Sequence, residues 1–311
     1  MKIKSNYIQA KFKKETNPKV GLIALSTDLT IEKDFYSICQ KLPLNVFVNR
    51  IHNENPLTKE NLSKMYDQIE KITEKILPGE KINTIAYGCT SGTIAIGEDK
   101  VKEKIKLAKP DCYVTTPITS AIKAFKKMNV KKIAVFTPYP EPVNKTIYEY
   151  LNKKNINIIS FSTFNLDLDV DIARVDPKHL FETLTNLSLN NAEALFISCT
   201  ALPALEILEK VEQKINKPVF SSNQTLIWDS IRSVGYKPSI EGYGRLLIRT
   251  FAILLGLFAS VPVLGSSDVK DGQNIAETHC GRCHVVGDYN KFGGIGSTPS
   301  FGLLLSMADG I

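Results

Sequence analysis

The chain has 311 residues, 43% hydrophobic and 23% charged, which is typical of a soluble globular protein and long enough for two domains. Its net charge of +7 comes largely from lysines spread along helical patterns such as "KVKEKIKLAK" rather than interleaved with aromatic residues, which argues against nucleic-acid binding. The N-terminal stretch "MKIKSNYIQAKFKKE" lacks the apolar segment of a signal peptide, so we expect a cytoplasmic protein.

Short β-rich runs alternate with helical patterns from Val20 to about Leu247, which predicts an α/β fold with parallel strands and crossover helices. In chain order, the predicted strands are "VGLIALST", "LNVFVNRI", "INTIAYGCT", "DCYVTTP", "KKIAVFTP", "INIISFST", "EALFISCT" and "KPVFSSN". The runs typically end in Ser, Thr, Asn or Pro before a helix, which are common residues at helix starts.

The first four predicted strands resemble the last four element by element, and Cys89 and Cys199 occupy matching positions 110 residues apart. We therefore predict two flavodoxin-like halves related by a pseudo-twofold axis, each with a parallel four-stranded sheet. The expected boundaries are residues 17–117 for the first half and 118–219 for the second. Residues 220–247 are expected to pack back on the first half.

Cys89 in "YGCTSGT" and Cys199 in "ISCTALP" each end a predicted strand. Ligands bind beyond the carboxyl ends of parallel strands, so the two thiols are expected to face one another across a cleft. A helix start would lower the pKa of Cys89 and hold a substrate carboxylate. Expected substrate contacts near the thiols are Thr90, Ser91, Gly92, Thr200 and Ala201, with Gly92 allowing close approach. Asn165 also ends a strand near the expected cleft, whereas Cys39 and Cys112 are interpreted as core residues.

Two facing thiols support two kinds of chemistry. One thiolate can remove a proton from a carbon next to a carboxylate while the opposite thiol returns a proton to the other face. Alternatively, a thiolate can add across an activated double bond and let that bond rotate. Against both stands the possibility that the cysteines are structural, because free cysteines are commonly buried.

The segments "GLIALSTDLTIEKDF", "YGCTSGTIAIG", "VFTPYPEPVN", "LFISCTALPALEIL" and "PVFSSNQTLIWDSIR" resemble the aspartate/glutamate racemase superfamily, in its branch of maleate cis–trans isomerase and arylmalonate decarboxylase. The likeness is greatest to the ectoine-utilisation proteins of that branch. It implies a cofactor-independent racemase or isomerase of a small carboxylate, such as an amino acid or an ectoine-breakdown product, with Cys89 and Cys199 as catalytic residues. The implied substrate contacts are Thr27, Asp28 and Tyr139. We also expect a homo-oligomer.

Two positions depart from the family patterns. Maleate isomerases carry an Asn where this chain has Asp28, whose carboxylate would repel a second substrate carboxylate. A substrate with an amino group therefore fits better, and maleate-type cis–trans isomerisation is retained as an alternative. Arylmalonate decarboxylases lack the first cysteine, which is Cys89 here, so decarboxylation is disfavoured.

The composition changes abruptly after residue 247. Residues 248–266 include the apolar run "FAILLGLFASVPVL", which resembles a signal-sequence core or, at 250–265, a membrane tether shorter than the usual span of about 20 residues. Residues 267–311 contain "CGRCH", the signature of covalent haem c attachment, and resemble part of an exported cytochrome c. In that motif Cys280 and Cys283 would attach the haem through thioether bonds, and His284 would be the axial ligand of its iron.

This tail gives a second alternative function, haem-based electron transfer. Haem attachment outside the cytoplasm conflicts with an enzyme that needs reduced thiols. Either the enzyme is cytoplasmic and tethered to the membrane with its tail exported, or the chain joins two neighbouring genes by accident.

Overall fold

The computed structural model describes residues 5–248. The predicted apolar segment from residue 249 onward and the haem motif at Cys280, Cys283 and His284 lie outside the described residues. Within 5–248, every helix is too short or too polar to cross a bilayer.

The first half contains a parallel four-stranded sheet in the order β2-β1-β3-β4. Its strands are β1 (Lys19–Leu25), β2 (Asn45–Ile51), β3 (Thr84–Tyr87) and β4 (Tyr113–Thr115). Its helices are α1 (Ile31–Cys39), α2 (Lys59–Ser63), α3 (Tyr66–Glu74), α4 (Thr90–Ile96) and α5 (Glu98–Ala108).

The second half repeats this arrangement with a parallel sheet in the order β6-β5-β7-β8. Its strands are β5 (Lys132–Thr137), β6 (Asn157–Thr163), β7 (Ala194–Ile197) and β8 (Val219–Ser221). The remaining helices are α6 (Pro117–Lys127), α7 (Glu141–Lys153), α8 (Asp169–Ala173), α9 (Pro177–Thr185), α10 (Leu205–Ile215) and α11 (Ser222–Ser233). The predicted α/β fold with two parallel four-stranded sheets is confirmed.

The central strands read as nearly continuous apolar runs because helices cover both faces of each sheet. All residues of β3 and β7 are buried, as are all residues of β1 except its first. Parallel sheets that are covered on both faces show this pattern instead of an alternation of apolar and polar residues.

The helix that follows the last strand of each sheet packs against the other sheet. Phe125 of α6 contacts Phe196 of β7 and Phe220 of β8 edge to face, with ring centroids 5.4 and 5.1 Å apart. Ser233 of α11 shares a 2.6 Å hydrogen bond with Thr84 of β3, and α11 contacts both β3 and β4. This exchange joins the two sheets through one apolar core.

Candidate active site

Cys89 follows β3 and caps the first turn of α4. Its Sγ accepts a hydrogen bond from the Gly92 N–H at 3.2 Å and lies 3.9 Å from Ser91 Oγ. A Cβ atom at Gly92 would lie 2.8 Å from this sulfur and 2.6 Å from Met65 Cε. A side chain at this position would therefore meet Met65 and Cys89 itself, which is why glycine fits here.

Cys199 follows β7, the strand that matches β3. The Tyr139 hydroxyl and the Ala201 N–H lie close enough to the Cys199 Sγ to lower the pKa of the thiol, although burial raises it by more. The hydroxyl of Thr200, next to Cys199, donates to the carbonyl of Gly88, next to Cys89, at 3.2 Å. Charge on either cysteine also raises the pKa of the Tyr139 phenol. Each cysteine is only 3% exposed. The two thiols therefore belong to one buried cluster.

Tyr139 is held by the turn between β5 and α7. Its carbonyl oxygen accepts hydrogen bonds from Asn144 Nδ2 at 2.7 Å and from Thr163 Oγ1 at 2.6 Å. These partners fix the backbone of Tyr139, whose side chain is buried at 2% exposure.

Asp28, in the loop after β1, brings a buried carboxyl to the cluster. Its Oδ1 accepts hydrogen bonds from the Thr30 and Ile31 N–H groups at 2.7 and 2.8 Å, at the start of α1. Its Oδ2 is buried without a hydrogen-bond partner. Thr200 approaches this carboxyl, but its hydroxyl proton goes to the Gly88 carbonyl at 3.2 Å. Burial raises the pKa of Asp28.

Asp169, the first residue of α8, approaches the same cluster from the second half. Its Oδ2 accepts hydrogen bonds from Asn53 Nδ2 at 2.7 Å and from Thr27 Oγ1 at 3.1 Å. Burial, with a smaller contribution from the charge of Asp28, raises the pKa of Asp169 to about 6. These two hydrogen bonds connect the halves directly beside the thiols.

Asp34 and Asn223 form a second polar contact behind Cys199. Asn223 Nδ2 donates to Asp34 Oδ2 at 2.7 Å and to the Thr200 carbonyl at 2.8 Å. Burial raises the pKa of Asp34 to about 7. Asp34 also lines a cavity of about 400 Å³, together with Thr30 and Pro203.

The thiols are not acidified in this structure, which corrects the expectation of a lowered pKa at the helix start. Burial, followed by the charge of Asp169, raises the pKa of Cys89 to about 12. The Gly92 N–H and Ser91 hydroxyl lower the pKa, but by less. Burial also raises the pKa of Cys199. Desolvation therefore outweighs the helix start, and both groups are neutral thiols at neutral pH.

Alkylation of Cys89 by iodoacetamide is expected to be slow at neutral pH and to accelerate by about tenfold per pH unit between about pH 7 and 9.5, because only the thiolate reacts. Peptide mass spectrometry resolves the modified cysteine at each pH. A rate that levels off below about pH 8 would instead show a thiolate already present at neutral pH.

The structure brings most of the predicted substrate-contact residues around the thiols, with two exceptions. The Thr90 hydroxyl donates to Ser222 Oγ at 2.9 Å, toward α11. Asn165 is exposed, and its N–H is bonded to Thr163 Oγ1 at 3.0 Å. Its φ of 57° is the left-handed conformation that Asn tolerates in turns, so here it shapes the chain after β6 instead of facing the cluster. The predicted substrate-contact residues that do lie near the thiols are Thr27, Asp28, Ser91, Gly92, Tyr139, Thr200 and Ala201.

Sequence reasoning missed Asn53 and Asp169. They follow β2 and β6, which occupy matching positions in the two halves. The duplication could have pointed to polar residues after this strand pair, as it did for the two cysteines. Among residues 5–248, no group of three or more His, Cys, Asp or Glu side chains is arranged to hold a metal ion.

The arylmalonate decarboxylase family matches residues 57–247, more than half of the chain. The maleate isomerase of Geobacillus stearothermophilus is 24% identical over 245 residues, which span 74% of this chain and 96% of that protein. The maleate isomerase Iso of Pseudomonas putida S16 superposes with a TM-score of 0.69 at 19% identity, covering 75% of this chain and 98% of that one.

A variant of the Nocardia farcinica maleate cis–trans isomerase, solved with a covalently bound succinylcysteine intermediate, has the same TM-score of 0.69 and 19% identity, with coverage of 75% and 98%. The motif resemblance is thus confirmed at the level of the family, while the likeness to ectoine-utilisation proteins stays a prediction. The chain belongs to the arylmalonate decarboxylase family and, with maleate isomerases among its relatives, is an enzyme of the isomerase type.

Proposed function

We propose that this protein isomerises a small carboxylate at the paired thiols of Cys89 and Cys199, without a cofactor. The observation that carries the proposal is the meeting of two thiols from matching strand ends in one buried cluster beside Tyr139. Once one thiol has lost its proton, the pair supplies both a proton acceptor, the thiolate, and a proton donor, the remaining thiol. Both thiols must stay reduced, which favours a cytoplasmic enzyme; all four described cysteines are free.

In the acid–base route, one cysteine acts as a thiolate and the other as a thiol. The thiolate takes a proton from the carbon next to the substrate carboxylate, and the opposite thiol gives a proton to the other face. Each sulfur has two donors that would stabilise its thiolate: Gly92 and Ser91 at Cys89, and Tyr139 and Ala201 at Cys199. This symmetry suits a reaction that runs in both directions, as racemisation does.

Maleate-type cis–trans isomerisation is the second candidate, supported by the maleate isomerases that cover most of this chain. In this route the thiolate of Cys89 forms a bond to one alkene carbon, and the π electrons move toward the carboxylate on the other carbon. Rotation about the new single bond precedes loss of the thiolate, which restores the double bond. The covalent succinylcysteine in the Nocardia farcinica enzyme is an adduct of this kind in that protein.

Incubation in heavy water with a panel of small amino and dicarboxylic acids tests the proposal. NMR follows both deuterium at the carbon next to the carboxylate and conversion between isomers. We expect at least one compound to show either signal, and the Cys89→Ala, Cys199→Ala double variant to show neither. Activity that survives in the double variant would place the chemistry elsewhere.

A further inference from the structure

Two buried carboxyl groups, those of Asp28 and Asp169, lie beside the two thiols without a matching cation. Thr30, whose N–H binds Asp28 Oδ1, donates its hydroxyl to the Ala201 carbonyl near Cys199 at 2.7 Å. Thr27, the neighbour of Asp28 in sequence, donates to Asp169 Oδ2 at 3.1 Å. In keeping with this placement, charge on either carboxyl raises the pKa of both thiols. Both side chains are buried, at 0% and 3% exposure. Charge on Asp28 also raises the pKa of Asp169, so the two carboxyls repel each other when ionised.

The nearby cations are directed elsewhere. The Arg50 guanidinium donates to the backbone carbonyls of Leu25, Ser26 and Asp28, and to Glu32 Oε1. The guanidinium therefore lies against the backbone of the loop after β1 and not against the Asp28 carboxyl. Its charge lowers the pKa of Asp28 by less than burial raises it. Lys33 pairs with Glu206 at 3.9 Å. Within residues 5–248, no Lys, Arg or His forms an ion pair with Asp28 or Asp169.

The hydrogen bonds of the two aspartates leave room for a positively charged partner. Asp28 uses Oδ1 for two backbone N–H groups, while its buried Oδ2 has no partner. Asp169 is fixed by neutral donors, Asn53 and Thr27, which orient its carboxylate without neutralising it. Because an unpaired buried charge is costly, burial raises the pKa of both carboxyls. A cation between them would favour their ionised forms and be bound by both. No arrangement of metal ligands is present in this part of the chain, which favours an organic cation.

We propose that Asp28 and Asp169 form a subsite for the ammonium group of the substrate, which is therefore an amino-substituted carboxylate. This inference rests on the proposed function, since the ligand is the compound that reacts at Cys89 and Cys199. The first half supplies one carboxylate and the second half the other, so the ammonium group ties the halves together over the thiols. A dicarboxylate without an amino group would instead place a like charge beside both aspartates.

Binding to matched ligands that differ only in the amino group tests the subsite. Isothermal titration at about pH 7.5 compares aspartate with succinate, glutamate with glutarate, and alanine with propionate. The wild type is expected to bind the amino member of at least one pair with about 30-fold or greater preference, as for a buried charge pair. Asp28→Asn and Asp169→Asn are each expected to lower that preference by about tenfold or more. Asp167→Asn, which removes an exposed charge two residues from Asp169, is the control and should retain it.

Several results would overturn the subsite. The first is that the wild type prefers the amino member of none of the three pairs, or binds none of these ligands. Another is a preference that survives in both aspartate variants. A third is tighter binding of succinate that weakens as the pH rises, because the aspartates would then be protonated donors to a second carboxylate. Circular dichroism checks the fold of each variant, and the wild-type comparison requires no variant.

The heavy-water experiment separates the subsite from the proposed function. Isomerisation of a dicarboxylate without any amino preference would reject the ammonium subsite and leave the thiol chemistry standing. Amino preference without exchange or isomerisation would reject the thiol chemistry and leave the subsite standing.

Discussion

Cys89→Ala and Cys199→Ala are each expected to lower kcat/KM for isomer interconversion by about 10²–10⁴-fold, the usual contribution of a general acid or base. Each variant removes one of the two sulfurs on which the reaction depends, and alanine can neither hold nor transfer a proton. Chiral chromatography or NMR of the substrate measures the interconversion. If the route is acid–base, a single variant still exchanges the substrate proton on the face served by the remaining thiol.

Cys39→Ala and Cys112→Ala are matched controls for these variants. Both cysteines are buried, at 4% and 1% exposure, yet neither belongs to the cluster around Tyr139. Their activity should stay close to that of the wild type when equal amounts of folded protein are compared. Equal, small effects at all four positions would return Cys89 and Cys199 to a structural role.

The paired cysteines were predictable because the pattern that places them is local and occurs twice. An apolar run ending in Cys-Thr fixes each thiol at the end of a strand, and in a parallel sheet the strand ends share one edge. The hydrogen bonds of Asp169 were not predictable in this way. They join residues 116 and 142 positions apart, and depend on how the two halves meet.

The pKa of Cys89 shows a second limit of local reasoning. The sequence places this thiol at a helix start, and the Gly92 N–H does stabilise the thiolate as expected. The larger effect is desolvation, which arises from residues distant in sequence that close over the site. Asn165 is a second case in which position along the chain misleads. It follows a strand, but its left-handed backbone leaves the side chain exposed instead of buried at the site.

Phe125→Ala is expected to lower the free energy of unfolding by about 3–5 kcal/mol, as for other large aromatic residues removed from a packed core. The ring is 0% exposed and lies edge to face against Phe196 and Phe220. Urea unfolding monitored by circular dichroism measures the loss. Phe12→Ala is the control, because Phe12 is 93% exposed and its removal should change stability little.

The loss of stability in Phe125→Ala also reports on the architecture, because α6 and α11 each join the two sheets. Phe125 belongs to α6, which follows the sheet of the first half, but its ring packs on β7 and β8 of the second half. If the halves unfold as one unit, the variant should keep a single unfolding transition that moves to lower urea concentration. A loss below about 1 kcal/mol would mean that the ring is not packed as described. A second transition in Phe125→Ala alone would show that α6 couples the halves, and with them the two strand ends that carry Cys89 and Cys199.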